Sequence, residues 1–176
     1  MILRAYAVTA DENGHFQAAA ASYEAALLSD PSDVEATVNL AVLYWRAGRS
    51  SVPCEFRDYA RERLSELLET ASTRFAGRAE LRFWKSHIAA TEAGEPLEPD
   101  ECRRLLEERP DYLEPAFVVF MNSAGAEAEP EAMRLLADYS EQRTARGRYV
   151  TSVIHAVMQK RRWQPRSLRQ LPSLPA

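Results

Sequence analysis

The feature that most constrains the fold is a residue pattern that recurs near the start of the chain. Four positions of the first segment correspond to four positions of a second segment 34 residues later: Tyr6, Ala7, Ala10 and Gly14 to Leu40, Ala41, Tyr44 and Gly48. A period of about 34 residues is the length of a unit of two helices joined by a turn. One such unit cannot bury both of its faces, so the pattern predicts an all-α stack of helical hairpins.

Apolar residues at helical spacing continue along the chain and predict about four hairpins and a ninth helix. The first hairpin is expected at about 2–12 and 15–29, and the next helix at about 34–47. The second helix of the following unit matches only at a separation of 41, which predicts either a seven-residue insertion at the turn or an extra turn of helix. The ninth helix, at about 149–162, is expected to cover the end of the stack.

Composition agrees with one globular domain, because 46% of the 176 residues are hydrophobic and 27% are charged. We expect residues 1–163 to form a right-handed α-α superhelix with a C-terminal capping helix, and residues 164–176 to form an irregular, basic tail. No apolar run approaches the ~20 residues that span a bilayer, and the first residues lack the apolar region of a secretory signal. These features predict a cytoplasmic protein in which Cys54 and Cys102 are reduced thiols.

Charge is distributed unevenly along the chain. No acid follows Glu141, and residues 142–176 carry 8 basic residues, whereas the preceding residues carry 14 basic and 26 acidic residues. The interpretation that we favour is that the basic end folds onto its own acidic body; the alternative is an acidic partner or a nucleic acid. We interpret the cluster Lys160–Trp163 as cations at the negative end of a helix dipole. The less favoured alternative is a site that binds nucleic acid or a membrane.

These repeats resemble the tetratricopeptide repeat family. The residues that carry the resemblance are Ala19, Tyr23 and Pro31 in the first unit, and Leu40, Ala41 and Tyr44 in the second. The similarity is good over residues 1–75 and loose over 76–141. It implies a concave groove, lined by the first helix of each hairpin, that binds a peptide or helix of another protein without a cofactor.

Eight side chains are expected to face this groove: Arg4, Val8, Asn39, Val42, Trp45, Arg46, Arg82 and Ser86. Some members of the family clamp the terminal carboxylate of a peptide, and Arg4 and Asn39 fall on matching positions. In one alignment of the third hairpin, Arg78 and Arg82 match as well. Arginine suits this task because it binds carboxylates in a bidentate manner; the favoured alternative is that these are ordinary surface arginines. Trp45 is either a binding hot spot or packs against the turn at 49–55.

The sequence therefore predicts a protein–protein interaction module, an adaptor or scaffold. The alternatives are a small bacterial chaperone of a secreted protein, a toxin-neutralising immunity protein, and a module that associates with itself through an apolar N-terminal end. Nothing indicates an enzyme, a metal site or a cofactor: the three histidines lie far apart, and no phosphate-binding loop or nucleophile motif is present.

Overall fold

The computed structural model describes residues 2–163, and the elements in this part of the chain are nine α-helices. They are α1 (Ile2–Glu12), α2 (Phe16–Ser29), α3 (Val34–Ala47), α4 (Cys54–Arg74), α5 (Ala79–Ala93), α6 (Pro99–Glu108), α7 (Pro115–Asn122), α8 (Glu129–Ser140) and α9 (Ala145–Trp163). The predicted all-α fold class is confirmed. The predicted irregular tail at 164–176 lies outside the described residues.

The ends of the first helices coincide with local signals in the sequence. Gly14, at a φ of +75°, makes the tight turn between α1 and α2, a conformation that glycine adopts without strain. The Asp33 carboxylate accepts a hydrogen bond from the Ala36 amide at 2.9 Å and so caps the start of α3. These local interactions explain why spacing and capping residues predict the boundaries of α1 to α3 within one residue.

The extra residues of the second unit are shared between its turn and its second helix. The turn occupies residues 48–53, and α4 has 21 residues where α2 has 14. The second helix of this unit is therefore seven residues longer than that of the first. The turn is three residues longer than the turn at 13–15, so neither predicted alternative alone accounts for the separation of 41.

The first two hairpins stack as the repeat pattern predicts. The α1–α2 hairpin packs on α3, which pairs in turn with α4. Small residues stand at the crossings, since Ala7, Ala19 and Ala60 are fully buried in one cluster, and Tyr23 and Tyr44 fill the spaces between them. Small side chains allow helix backbones to approach closely, so the pattern of alanine and tyrosine determines how these four helices nest.

The second half departs from a regular repeat. The closest partner of α6 is α7, and α5 packs instead on α3 and α4. Six of the ten residues of α6 are charged, and its buried residues are Cys102 and Leu105. A helix with such a narrow apolar stripe can bury that stripe against one neighbour only. The predicted third hairpin, made of α5 and α6, is therefore not a closely packed pair.

The C-terminal helix does more than cover one end of the stack. It begins at Ala145, four residues before the predicted start, and the Thr144 hydroxyl accepts a hydrogen bond from the Gly147 amide at 3.2 Å. It packs on α7 and α8 and also reaches back to α3. Because α2, α4, α5 and α9 surround α3 on all sides, every residue from 36 to 45 is buried. The prediction of a simple terminal cap is corrected here.

Candidate functional site

The predicted peptide-binding wall is covered by the protein's own C-terminal helix. Asn39, Val42 and Trp45 are 3%, 0% and 3% exposed. The ring of Tyr149, on α9, lies 4.8 Å from the Trp45 ring and 5.9 Å from the Phe117 ring. An aromatic side chain of α9 thus contacts α3 and α7, two of the helices expected to line a groove. These three residues are not open to a partner, and the prediction of an open inner wall is corrected.

Ion pairs and hydrogen bonds hold the start of α9 in place. The Asp11 carboxylate accepts a hydrogen bond from the Ala145 amide at 2.7 Å, and lies 3.2 Å from the Arg148 guanidinium. Burial raises the pKa of Asp11 to about 6. Further along α9, Arg161 pairs with Glu129 at 3.0 Å. Within the described residues, basic groups of the C-terminal end therefore pair with acids of the body, as the favoured interpretation predicts.

A buried carboxylate, Glu114, joins four helices. Its oxygens accept hydrogen bonds from Trp84 Nε1 at 2.7 Å, from the Tyr112 hydroxyl at 2.6 Å and from the Tyr139 hydroxyl. Arg146 Nε lies 3.5 Å from Oε1, and the other end of the Arg146 guanidinium pairs with Glu35. Because donors surround both oxygens, this carboxylate connects α9 to α5 and α8.

His87 is part of the same core. Its Nε2 lies 2.8 Å from the Tyr149 hydroxyl, and its ring stacks on Phe83. Burial lowers the pKa of His87 to about 4, so the imidazole is neutral at neutral pH. Sequence reasoning left a surface and a structural role open for this histidine, and the structure shows the structural one.

The carboxylate clamp does not assemble. Arg4 pairs with Asp33 at 3.3 Å, and Arg82 pairs with Glu108 at 2.9 Å. Arg78, the fourth residue of the alternative alignment, pairs with Glu80 beside it, and Asn39 is buried, as described above. These arginines therefore have acidic partners in different places and share no common target, which agrees with the interpretation as surface arginines.

The other predicted groove residues pack within the molecule. Trp45 Nε1 donates a hydrogen bond to Glu92 at 2.8 Å, and the Arg49 guanidinium lies 5.5 Å from the centre of the Trp45 ring. Arg46 is half-buried and lies 5.4 Å from the Tyr149 ring. Val8 and Ser86 are also half-buried. Trp45 therefore contacts Arg49 of the turn that follows α3, as one of the two interpretations expected, but it packs mainly on His87 of α5 and Tyr149 of α9.

A different groove is open to solvent, between α2 and α4. Its volume is about 460 Å³. Its apolar lining is formed by Leu27, Leu28, Pro31, Leu40, Leu67, Ala71 and Phe75. Leu40 and Ala71 are buried and form the floor, whereas Leu28, at the edge, is 85% exposed. An apolar floor with an exposed leucine at its edge is typical of a surface that binds another molecule.

Fixed polar groups border this groove. The Glu24 carboxylate accepts hydrogen bonds from the Tyr44 hydroxyl at 2.8 Å and the Tyr59 hydroxyl at 3.1 Å, and pairs with Arg63 at 3.1 Å. Farther along the groove, Arg74 Nη1 donates a hydrogen bond to the Pro31 carbonyl at 3.1 Å. Charges of both signs therefore surround an apolar centre, the arrangement found in protein–protein interfaces.

Sequence reasoning did not find this groove. Its residues come from α2, α3 and α4, and the groove exists because α2 and α4 lie apart above α3. Two signals were present: the pair of adjacent leucines Leu27–Leu28 near the end of α2, and the separation of 41 in the second unit.

Comparison of the chain with models of protein families, with curated proteins and with solved structures finds no match. Among the described residues, no group of histidine, cysteine and acidic side chains is arranged to hold a metal ion. None of the helices at 2–163 combines the length and the apolar character needed to traverse a bilayer.

Proposed function

We propose that this protein is a non-enzymatic interaction module that binds a helix or peptide of another protein in the groove between α2 and α4. The observation that carries the proposal is the apolar floor of this groove, open to solvent, with Leu28 exposed at its edge. The proposal keeps the adaptor function expected from the sequence and moves the binding surface away from the helices that α9 covers. No metal ion or cofactor takes part in it.

The dimensions of the groove suit a helical segment. The groove is lined along α4 from Arg63 to Arg74, and these 12 residues correspond to a length of about 18 Å. An amphipathic helix that lies in such a groove inserts apolar side chains spaced by three or four residues. The border supplies both signs of charge, because Glu66 and Arg74 line the groove beside its apolar residues. The complementary partner therefore has an apolar stripe flanked by both acidic and basic side chains.

We place this activity in the cytoplasm. Cys54 is exposed and Cys102 is buried, and both are free thiols. Exposed free thiols suit a reducing compartment. The identity of the partner separates the adaptor from the other functions considered: a secreted client would indicate a chaperone, and a toxin domain would indicate an immunity protein.

The proposal is tested by a photoreactive amino acid placed at position 28, followed by mass spectrometry of the crosslinked partner and by calorimetry with that partner purified. Leu28→Glu should weaken binding by roughly 10- to 100-fold, because burial of a leucine contributes about 1.5–3 kcal/mol. Thr70→Glu, on the facing wall, should act in the same direction, since Thr70 is an exposed residue that lines the groove.

Ala156→Glu is the matched control. Ala156 is an exposed residue of another helix, α9, and it does not line the groove. This variant should bind the partner as the wild type does. If Leu28→Glu and Thr70→Glu both kept wild-type affinity, or if no partner crosslinked at position 28, the groove would not be the binding site.

A further inference from the structure

The two ends of the groove between α2 and α4 differ in charge. At one end the Glu24 carboxylate pairs with Arg63, and Arg63 pairs in turn with Glu66, so two acids share one arginine. The hydroxyl groups of Tyr44 and Tyr59 donate hydrogen bonds to Glu24 and hold it in position. We name Glu24, Arg63 and Glu66 the acidic end of the groove, because together they carry a net negative charge.

The opposite end presents an arginine. Arg74 Nη1 donates a hydrogen bond to the Pro31 carbonyl at 3.1 Å, which holds the side chain beside the groove. Arg74 is exposed and forms no ion pair with an acid of residues 2–163. A guanidinium has five N–H donors, so several of them remain for the carboxylate of another molecule. We name Pro31 and Arg74 the arginine end.

The two walls of the groove run in the same direction. Glu24 of α2 pairs with Arg63 of α4 at the acidic end, and Arg74 reaches the carbonyl of Pro31 at the arginine end. Since α2 ends at Ser29 and α4 at Arg74, both helices have their C-termini at the arginine end. A helix C-terminus carries a partial negative charge and a helix N-terminus a partial positive one. The walls therefore favour a third helix that lies antiparallel to them.

The side-chain charges favour the same direction. Acidic residues stabilise the first turn of a helix and basic residues stabilise its last turn. A helix antiparallel to α2 and α4 brings its first turn to Arg74 and its last turn to the acidic end. Glu66 and Arg74 are separated by eight positions of α4, which corresponds to about 12 Å along the groove. The groove thus defines both the sign and the spacing of the charges on its partner.

We propose that the groove binds an amphipathic helix of another protein antiparallel to α2 and α4. An acidic residue in the first turn of this helix pairs with Arg74, and a basic residue about eight positions later pairs with Glu24 and Glu66. Apolar side chains between these charges cover Leu28 and the floor of the groove. This inference rests on the proposed function, and it adds the direction and the charge pattern of the partner.

The direction is tested by crosslinking from both ends of the groove. Pro31 and Glu66 are exposed and line the groove, and each is replaced in turn by a photoreactive amino acid. Mass spectrometry then locates the crosslinked residues in the partner. Position 31 should crosslink to the first turn of the partner helix, and position 66 should crosslink about two turns closer to its C-terminus.

The charge pattern is tested by calorimetry with a synthetic peptide of the segment that crosslinks at position 28. Arg74→Glu should weaken binding of this peptide by roughly 3- to 10-fold at about 0.1 M salt, and by less at about 1 M salt, because it replaces an attraction between exposed charges by a repulsion. A peptide in which lysine replaces the first-turn acid should bind Arg74→Glu more tightly than the unchanged peptide does. The loss caused by Leu28→Glu should persist at high salt, since it comes from apolar contact.

Arg134→Glu is the matched control. Arg134 is an exposed arginine of α8 that does not line the groove, so this variant changes the net charge of the protein equally and should keep wild-type affinity. Circular dichroism checks that both arginine variants remain folded.

Crosslinks in the reverse order would overturn the proposed direction. Wild-type affinity of Arg74→Glu, or an equal loss in Arg134→Glu, would overturn the pairing with Arg74. These outcomes differ from a failure of the proposed function, in which no partner crosslinks at position 28 or Leu28→Glu and Thr70→Glu both bind as the wild type does.

Discussion

Replacing Glu114 with glutamine should weaken the packing of the C-terminal helix, α9, on the rest of the protein. Glu114 is 2% exposed and accepts three hydrogen bonds, from Trp84 and two tyrosines, beside the Arg146 guanidinium. A glutamine of the same shape has one NH₂ group. If the NH₂ group takes the position of Oε2, it faces the Trp84 Nε1–H donor. If it takes the position of Oε1, it faces the Arg146 guanidinium. In either orientation a donor faces a donor, and the buried arginine loses its buried counter-charge.

The magnitude follows from the loss of one partner of a buried ion pair, which costs about 3–5 kcal/mol. A domain of this size has a free energy of unfolding of about 5–15 kcal/mol, so Glu114→Gln removes a large part of it. The melting temperature should fall by roughly 6–20 °C, at about 2–4 °C per kcal/mol. Urea unfolding followed by circular dichroism measures the free energy, and hydrogen exchange of residues 145–162 reports whether α9 is released.

Glu108→Gln is the control for this prediction. Glu108 also pairs with an arginine, Arg82, at 2.9 Å, but the pair is exposed. Its loss should change the free energy of unfolding by no more than about 0.5 kcal/mol. If Glu114→Gln lowered the free energy of unfolding by less than about 1 kcal/mol, or by no more than Glu108→Gln does, this would refute the conclusion that a buried charge network holds α9 in place.

Three further predictions concern the same core. His87 is neutral in the folded protein because burial lowers its pKa to about 4. Its contribution to the free energy of unfolding is therefore complete above the pKa of the unfolded state and is lost as the pH falls. In urea unfolding at about pH 5, His87→Gln should remove about 2 kcal/mol of the acid-induced decrease in the free energy of unfolding. Asp11, with its pKa raised to about 6, acts in the opposite sense, since its contribution to the free energy of unfolding is complete below the pKa of the unfolded state and is lost as the pH rises. Between neutral pH and about pH 5 the wild type should gain about 1 kcal/mol from this group, and Asp11→Asn should abolish that gain. A variant whose free energy of unfolding depends on pH as in the wild type would contradict this. Gly147→Ala should destabilise the protein by about 1–3 kcal/mol, because a Cβ there would overlap the Gln142 carbonyl oxygen and approach the Tyr139 ring at 3.2 Å; an unshifted thermal melt would show that α8 and α9 can separate at no cost.

The sequence predicted a groove lined by the first helix of each hairpin, whereas the open groove of the structure lies between α2 and α4. The residues proposed for the groove were assigned from the regular repeat, in which the first helix of each hairpin faces an empty inner wall. That assumption fails at Trp45, which contacts Tyr149 at a ring distance of 4.8 Å. Periodicity cannot distinguish a face covered by α9 from a face left open for a partner, because both faces have the same apolar spacing.

The first turns of α1 show the opposite case. Tyr6 is 63% exposed, whereas Leu40, the corresponding residue of the second unit, is buried. The sequence predicted an apolar surface at the N-terminal end, and the structure adds that Arg4, on the same helix, pairs with Asp33.

The amino-acid sequence by itself determined where the helices lie and how the first two hairpins nest, because helical period, capping residues, prolines and small residues at crossings act over a few positions. The position of α9 was decided only by the tertiary structure. It rests on contacts between residues more than a hundred positions apart, such as Asp11 with Arg148 and Trp45 with Tyr149. Contacts at that distance depend on the path of the whole chain, so no local pattern encodes them, and the open groove between α2 and α4 emerges only once that path is known.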